Sequence, residues 1–220
     1  MKKIFAFLCT ICLFCGVSNA DIIQNQKVKN TINILNSFGL RNLHGNEKFK
    51  DIKAIAIIPD VTKTAFVVSG AKGEGIFVAK NDDGEWSSPV FINYTAAGIG
   101  AQAGISSADT IILFKNSQAY ASLFNGKDTI SINAEATAGI GEGSGVTTDL
   151  PEISAFIVDR TKTSGAFIGV GIDLGRITTN RQQTNDYYER MYDYEDLYNN
   201  SPKMSKYTLK LHEIINKYFL

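Results

Sequence analysis

The chain has 220 residues with 22 basic against 22 acidic side chains, enough for one ordinary domain or two small ones, and no charge class follows from that balance. A hydrophobic fraction of 44% and 19 glycines place it among proteins that bury a core, away from disordered and coiled-coil compositions. The lack of a basic excess argues against nucleic acid as a partner, because neutralising several phosphates normally demands one.

The first twenty residues carry Lys2 and Lys3, an apolar run from Ile4 to Val17, and then Ser18-Asn19-Ala20. That order predicts a secretory signal peptide over residues 1–20, cut before Asp21, and a periplasmic or secreted product. The apolar run is shorter than the roughly 18 to 20 residues of a spanning helix, although an uncleaved anchor would use the same ingredients. Cys9, Cys12 and Cys15 all lie inside this segment, so a chain starting at Asp21 has no thiol for a disulfide, a metal site or a nucleophile. Bulky Phe14 speaks against Cys15 as a lipid acceptor. Loss of Lys2 and Lys3 leaves 20 basic against 22 acidic residues, a net charge of −2, so attraction to an anionic surface has to be local.

From Gln24 to about Leu43, Val28, Ile32, Ile34, Leu35 and Phe38 recur at helical steps with Lys27, Lys29 and Asn30 between them. This predicts an amphipathic helix stopped by Gly39, its apolar face turned either to the domain's own sheet or to a membrane. Between Ile52 and Asn180 the chain changes to short β-branched and aromatic runs punctuated by glycine. Strands are expected near Ala54–Ile58, Thr64–Ser69, Glu74–Lys80, Val90–Tyr94, Gly98–Ser107, Thr110–Phe114, Asp128–Ala136, Ala155–Asp159 and Gly165–Leu174, with a turn at Asn81–Gly84 and a short helix at Asn116–Phe124. After Asn180 a tyrosine series (Tyr187, Tyr188, Tyr192, Tyr194, Tyr198) and an amphipathic stretch from Leu209 to Phe219 predict two closing helices, the tyrosines forming a packed edge with wet hydroxyls. The fold class is α+β: a curved antiparallel β-sheet or partial barrel of short glycine-rich strands, with an N-terminal amphipathic helix and C-terminal helices.

Catalytic chemistry is thinly represented. Two histidines, His44 and His212, are too few for a triad or a multi-histidine zinc site. Gly98–Gly104 and Gly169–Gly175 space their third glycine one residue too far for a dinucleotide fingerprint, and Gly139–Gly145 lacks the Lys-Ser/Thr of a phosphate loop. Such glycines instead allow tight curvature or the close approach of a helix or ligand. The carboxylates Asp82-Asp83 and Asp193, Glu195 and Asp196 read as a turn and a solvated tail. No cofactor and no enzymatic activity are expected.

Several segments taken together resemble the SYLF domain, a lipid-binding family found in bacterial secreted proteins and, in fungi and animals, beside SH3 or other modules. They are Ala54-Ile-Ala-Ile-Ile-Pro59, Ser69-Gly-Ala-Lys-Gly-Glu-Gly75, Gly84-Glu-Trp-Ser-Ser-Pro89, Gly98-Ile-Gly-Ala-Gln-Ala-Gly104 with Asp109-Thr-Ile111, and Gly165-Ala-Phe-Ile-Gly-Val170 with Tyr187-Tyr188. The likeness runs from about residue 48 to residue 188, which makes residues 21–220 a single SYLF-like domain with a helical extension over 189–220. It implies a non-catalytic protein that binds anionic phospholipid, phosphoinositides in eukaryotic members, through an N-terminal amphipathic segment and basic residues near the glycine-rich sheet. The actin-binding role of some fungal members is not expected of an exported chain. The residues expected to carry lipid binding are Lys27, Lys29, Lys53, Lys63 and Lys72 as a basic rim, Val28, Ile32 and Leu35 as an inserting face, and Trp86 either at the bilayer interface or in the core. The alternative is a periplasmic protein-protein interaction module that holds a partner by edge pairing, without lipid.

Overall fold

The structure, a computed structural model, describes residues 22–39, 51–65, 68–99, 104–124, 129–132, 146–147, 153–158 and 174–219. The expected leader with its three cysteines, His44, and the glycine stretches at 139–145 and 165–173 lie outside them.

Helix α1 is described over residues 22–39, within the stretch where the sequence predicts an amphipathic helix. A Cβ on Gly39 would collide with the ring of Tyr218, so the glycine serves close packing. Among the described residues eight strands follow: β1 (Ala54–Ala65), β2 (Val68–Ala79), β3 (Val90–Ile99), β4 (Gly104–Phe114), β5 (Thr129–Ile132), β6 (Val146–Thr147), β7 (Ile153–Val158) and β8 (Leu174–Thr179). Between β4 and β5 a 3₁₀ turn (Ser117–Ala119) leads into α2 (Ala121–Phe124), where the short helix was expected. The chain closes with α3 (Arg181–Tyr188), α4 (Tyr194–Tyr198) and α5 (Lys206–Phe219), three helices rather than the expected two.

All the strands join one open antiparallel sheet in the order β5-β8-β3-β2-β1-β4-β7-β6. Its centre, β3-β2-β1-β4, returns the fourth strand beside the first, a Greek-key arrangement. Side chains alternate across the pleat, and here both sides are apolar. Ile55, Ile57, Ile76, Val78, Phe91, Ile111 and Leu113 pack under α1 and α5. Ala54, Ala56, Ile58, Phe77, Val90, Ile92, Ile112 and Phe114 pack under Tyr120, Leu123 and Leu197 of the 3₁₀–α2 segment and α4. The central strands therefore read as unbroken apolar runs because each successive residue enters one of two cores.

Pro59 looked like the end of a strand, but β1 continues through it. One residue more than the partner strands supply lies between Ile58 and Val61, a β-bulge at Pro59-Asp60. Proline has no N–H to give the ladder, and the bulge is where a central strand tolerates that loss. Asp60 takes φ 50°, and its N–H donates to Oδ1 of buried Asp109 at 3.0 Å. Opposite the bulge, Gly73 and Gly75 let β1 approach, since a Cβ on Gly75 would lie 2.8 Å from Cα of Ile58. The expected Gly98–Ser107 strand is in fact the end of β3 and the start of β4, and β8 begins where the expected Gly165–Leu174 strand was to stop.

The tyrosine series forms the packed edge the sequence suggested, but the hydroxyls of Tyr187, Tyr188 and Tyr198 bond the chain itself instead of standing wet. Tyr188 donates to the Pro89 carbonyl at 2.9 Å and Tyr198 to that of Lys80 at 2.9 Å, while Tyr187 Oη lies 2.6 Å from Ser205 Oγ and 2.9 Å from Thr208 Oγ1.

Candidate functional site

Beyond Ile76 on β2 and Phe91 on β3, the side of the sheet that carries α1 turns polar. The pairing register lines Thr62, Lys72, Thr95 and Arg176 across β1, β2, β3 and β8 in one row, and directly paired residues share a face. Lys72, Thr95 and Arg176 are exposed. Two strand spacings separate Lys72 from Arg176, so their backbones stand about 10 Å apart with a threonine hydroxyl between them. The next row, Glu74, Asn93 and Thr178, anchors helices to this ledge. Lys27 Nζ of α1 and Gln183 Nε2 of α3 both donate to Glu74 Oε2, at 2.6 and 2.8 Å. The lysine contact holds the Glu74 carboxyl below its ordinary range, with the Gln183 bond adding to it. Asn93 Oδ1 accepts from Asn180 Nδ2 at 3.0 Å, and Asn180 Oδ1 in turn caps α3 by accepting from the Gln183 N–H at 3.1 Å. Ile23 stands one helical turn before Lys27 on the same side of α1, and both it and Ile22 are exposed, at 54% and 63%.

The expected lipid-binding residues do not form one rim. Lys72 lies on the ledge, and Lys27 is engaged by Glu74 beside it. Lys29 is exposed on another side of α1. Lys63 pairs with Ala71 on the opposite face of the sheet, and Lys53 precedes β1 at its other end, about 30 Å away along the strand. Val28, Ile32 and Leu35, expected as an inserting face, are at most 9% exposed and share a core with Ile55, Ile76 and Phe91. Of the two uses open to the apolar face of α1, the folded chain takes packing on the sheet, where burial is obtained without a bilayer. Trp86 likewise enters the core at 2% exposure, with the Lys80 ammonium 5.1 Å from the centre of its ring. Arg176 was missed, because the sequence reading ended that strand at Leu174 and left no pairing register to place the next residues. The one signal for it is a basic residue directly after Gly175, whose missing Cβ makes room for the Tyr94 ring at 2.7 Å.

Among the described residues no group of three or more His, Cys, Asp or Glu is gathered as a metal site would be, and no helix is long and apolar enough to cross a membrane.

Comparison with known proteins adds kinship to this geometry. The family model Ysc84, described as "Las17-binding protein actin regulator", matches residues 95–218. Protein YSC84 of Saccharomyces cerevisiae is 30% identical over 143 residues, covering 63% of this chain and 30% of that protein. LAS seventeen-binding protein 3 of the same species is 29% identical over 154 residues, covering 69% of this chain and 33% of its own length. Human SH3 domain-containing YSC84-like protein 1 is 28% identical over 170 residues, covering 76% of this chain and 48% of the relative. The chain thus spans between about a third and a half of these relatives. No solved structure matches it.

Proposed function

The chain belongs to the Ysc84 family of Las17-binding actin regulators, the SYLF domain family, and from that premise we propose that it is a non-catalytic module that docks on an anionic phospholipid surface through the Lys72–Thr95–Arg176 ledge. The observation that carries the reading is the pairing register, which sets two exposed cations on one face, next to the row where Lys27–Glu74 seats α1 with its exposed Ile22 and Ile23. Each basic residue near an anionic surface contributes about 1 kcal/mol, so Lys72 and Arg176 supply about 2. Partial burial of two isoleucines adds roughly 3 kcal/mol, for a sum near 5 kcal/mol and a single-copy affinity between millimolar and micromolar. Such binding is salt-sensitive and gains from several copies on one surface. We place this activity outside the cytoplasm, on the strength of Lys2-Lys3 followed by the Ile4–Val17 run. N-terminal sequencing of the processed protein should then begin at Asp21.

Liposome flotation tests the docking. The protein should float with vesicles containing anionic phospholipid at low salt, stay in the soluble fraction with phosphatidylcholine alone, and lose flotation in the Lys72→Glu/Arg176→Glu variant. Equal recovery in the soluble fraction with both vesicle types would defeat the proposal. The second reading, binding of a protein partner, is favoured by the name of a relative, LAS seventeen-binding protein 3. It predicts a stoichiometric protein complex that survives detergent and tolerates the same charge reversals.

A further inference from the structure

At the opposite end of the sheet, on the face that carries α4, a cavity of about 460 Å³ opens between three elements. The β2–β3 turn lends Asp82, the 3₁₀–α2 segment lends Ser117 and Tyr120, and α4 lends Glu195, Tyr198 and Asn199. Its volume lies in the range of small-ligand sites. Its chemistry is one-sided. Two carboxylates come from separate elements, and no lysine, arginine or histidine is among the described residues that line it.

The two phenols turn their hydroxyls toward groups of the chain itself. Tyr198 Oη donates to the Lys80 carbonyl at 2.9 Å and lies 3.5 Å from Asp82 Oδ1, and Tyr120 Oη donates to the Lys53 carbonyl at 3.4 Å. Burial first pushes both phenols above their ordinary range, followed at Tyr120 by Tyr198 and then Asp82 and at Tyr198 by Asp82, which keeps them neutral at any physiological pH. Lys80 sends its own side chain to the other face of the sheet: it alternates with Ala79, and its ammonium sits over Trp86 in the opposite core. What remains is a pocket lined by carboxylates and aromatic rings, which repels an anion and suits a cation with an apolar stem.

We propose that this cavity is a binding site for a primary alkylammonium group, seated between the Asp82 and Glu195 carboxylates with its carbon chain against the rings of Tyr120 and Tyr198. Two sources can present that group: a free linear diamine, or a lysine side chain of a partner protein. Either is held by the same ion pairs and ring contacts, and the site is independent of the lipid-docking ledge.

The test is a two-dimensional amide NMR titration of the full mature chain with 1,5-diaminopentane and, separately, with an end-blocked Gly-Lys-Gly peptide. Saturable shifts in the Asp82 turn, at Tyr120 and along α4 with the diamine assign the site to free amines. The same shifts with the peptide alone assign it to a partner's lysine. In either case Asp82→Asn/Glu195→Gln, two exposed residues whose replacement spares the fold, should weaken binding by about tenfold or more, and circular dichroism of the variant should match the parent. If neither probe produces saturable shifts there, or if the double variant binds as the parent does, the proposal is overturned.

Discussion

Two glycines show how differently the same residue type constrains the fold. Gly84 has φ 81° and open space around it, so Gly84→Ala meets only backbone strain and should cost about 1 to 2 kcal/mol. Gly75 faces the backbone of Ile57 and Ile58 across the β1–β2 pair, so Gly75→Ala has to push two strands apart and should cost about 3 kcal/mol or more. Urea midpoints for the two variants should fall in that order. Trp86 belongs to the core, so its fluorescence should be blue-shifted in lipid-free protein and unchanged by anionic vesicles, and Trp86→Ala should cost about 3 to 5 kcal/mol. His212 gives a pH dependence. Its Nε2 lies 2.9 Å from the Ser87 carbonyl, and burial holds its pKa below the usual 6.5. The unfolded chain therefore takes up the proton first. Stability present above pH 6.5 should be lost as pH falls toward the lower folded value, and thermal melts of His212→Gln should lack that part of the slope.

The elements were legible wherever an apolar run dictated them. The chain announced α1, the α+β class, the Asn81–Gly84 turn and most central strands, because burial on both faces of the sheet leaves a strong hydrophobic signal. What it concealed was register. Along β1, Ile55 and Ile57 face α1, and strict alternation would place Lys63 on that same face beside Lys72. The extra residue at Pro59-Asp60 resets the alternation, so that Thr62 takes that place and Lys63 passes to the other face. One inserted residue thus dismantles the basic rim that lysine positions suggested, and only pairing with β8 brings in Arg176. The same reasoning separates the contributions within α1. Leu35→Ala opens the core and should cost about 2 to 5 kcal/mol, whereas Lys27→Ala breaks a half-exposed ion pair and should cost less than about 1 kcal/mol, as chemical denaturation of the two variants would show.

Residues 21–220 carry a formal net charge of −2, with Lys72 and Arg176 toward one end of the sheet and Asp82 and Glu195 toward the other. The cationic ledge and the acidic cavity lie on opposite faces, about 25 Å apart along β2. At that distance their mutations should add without coupling. Lys72→Glu/Arg176→Glu should abolish vesicle flotation while leaving the diamine titration unchanged, and Asp82→Asn/Glu195→Gln should do the reverse. A domain so arranged can rest on an anionic surface while holding a cationic group at its far end. The packing of α1 against α5 matters in a different way, through time. The Tyr218 hydroxyl bonds Asn36 Oδ1 at 2.9 Å, and Leu211, Ile214, Ile215 and Phe219 share a core with Val28 and Leu35, so the first described helix is completed by the last. A ribosome adds roughly 5 to 20 residues per second, so α1 waits roughly 10 to 30 s for α5 to be made. During that interval its apolar face is only partly covered. A membrane or a chaperone has its best access to α1 while the chain is still being synthesised, and loses it when α5 docks.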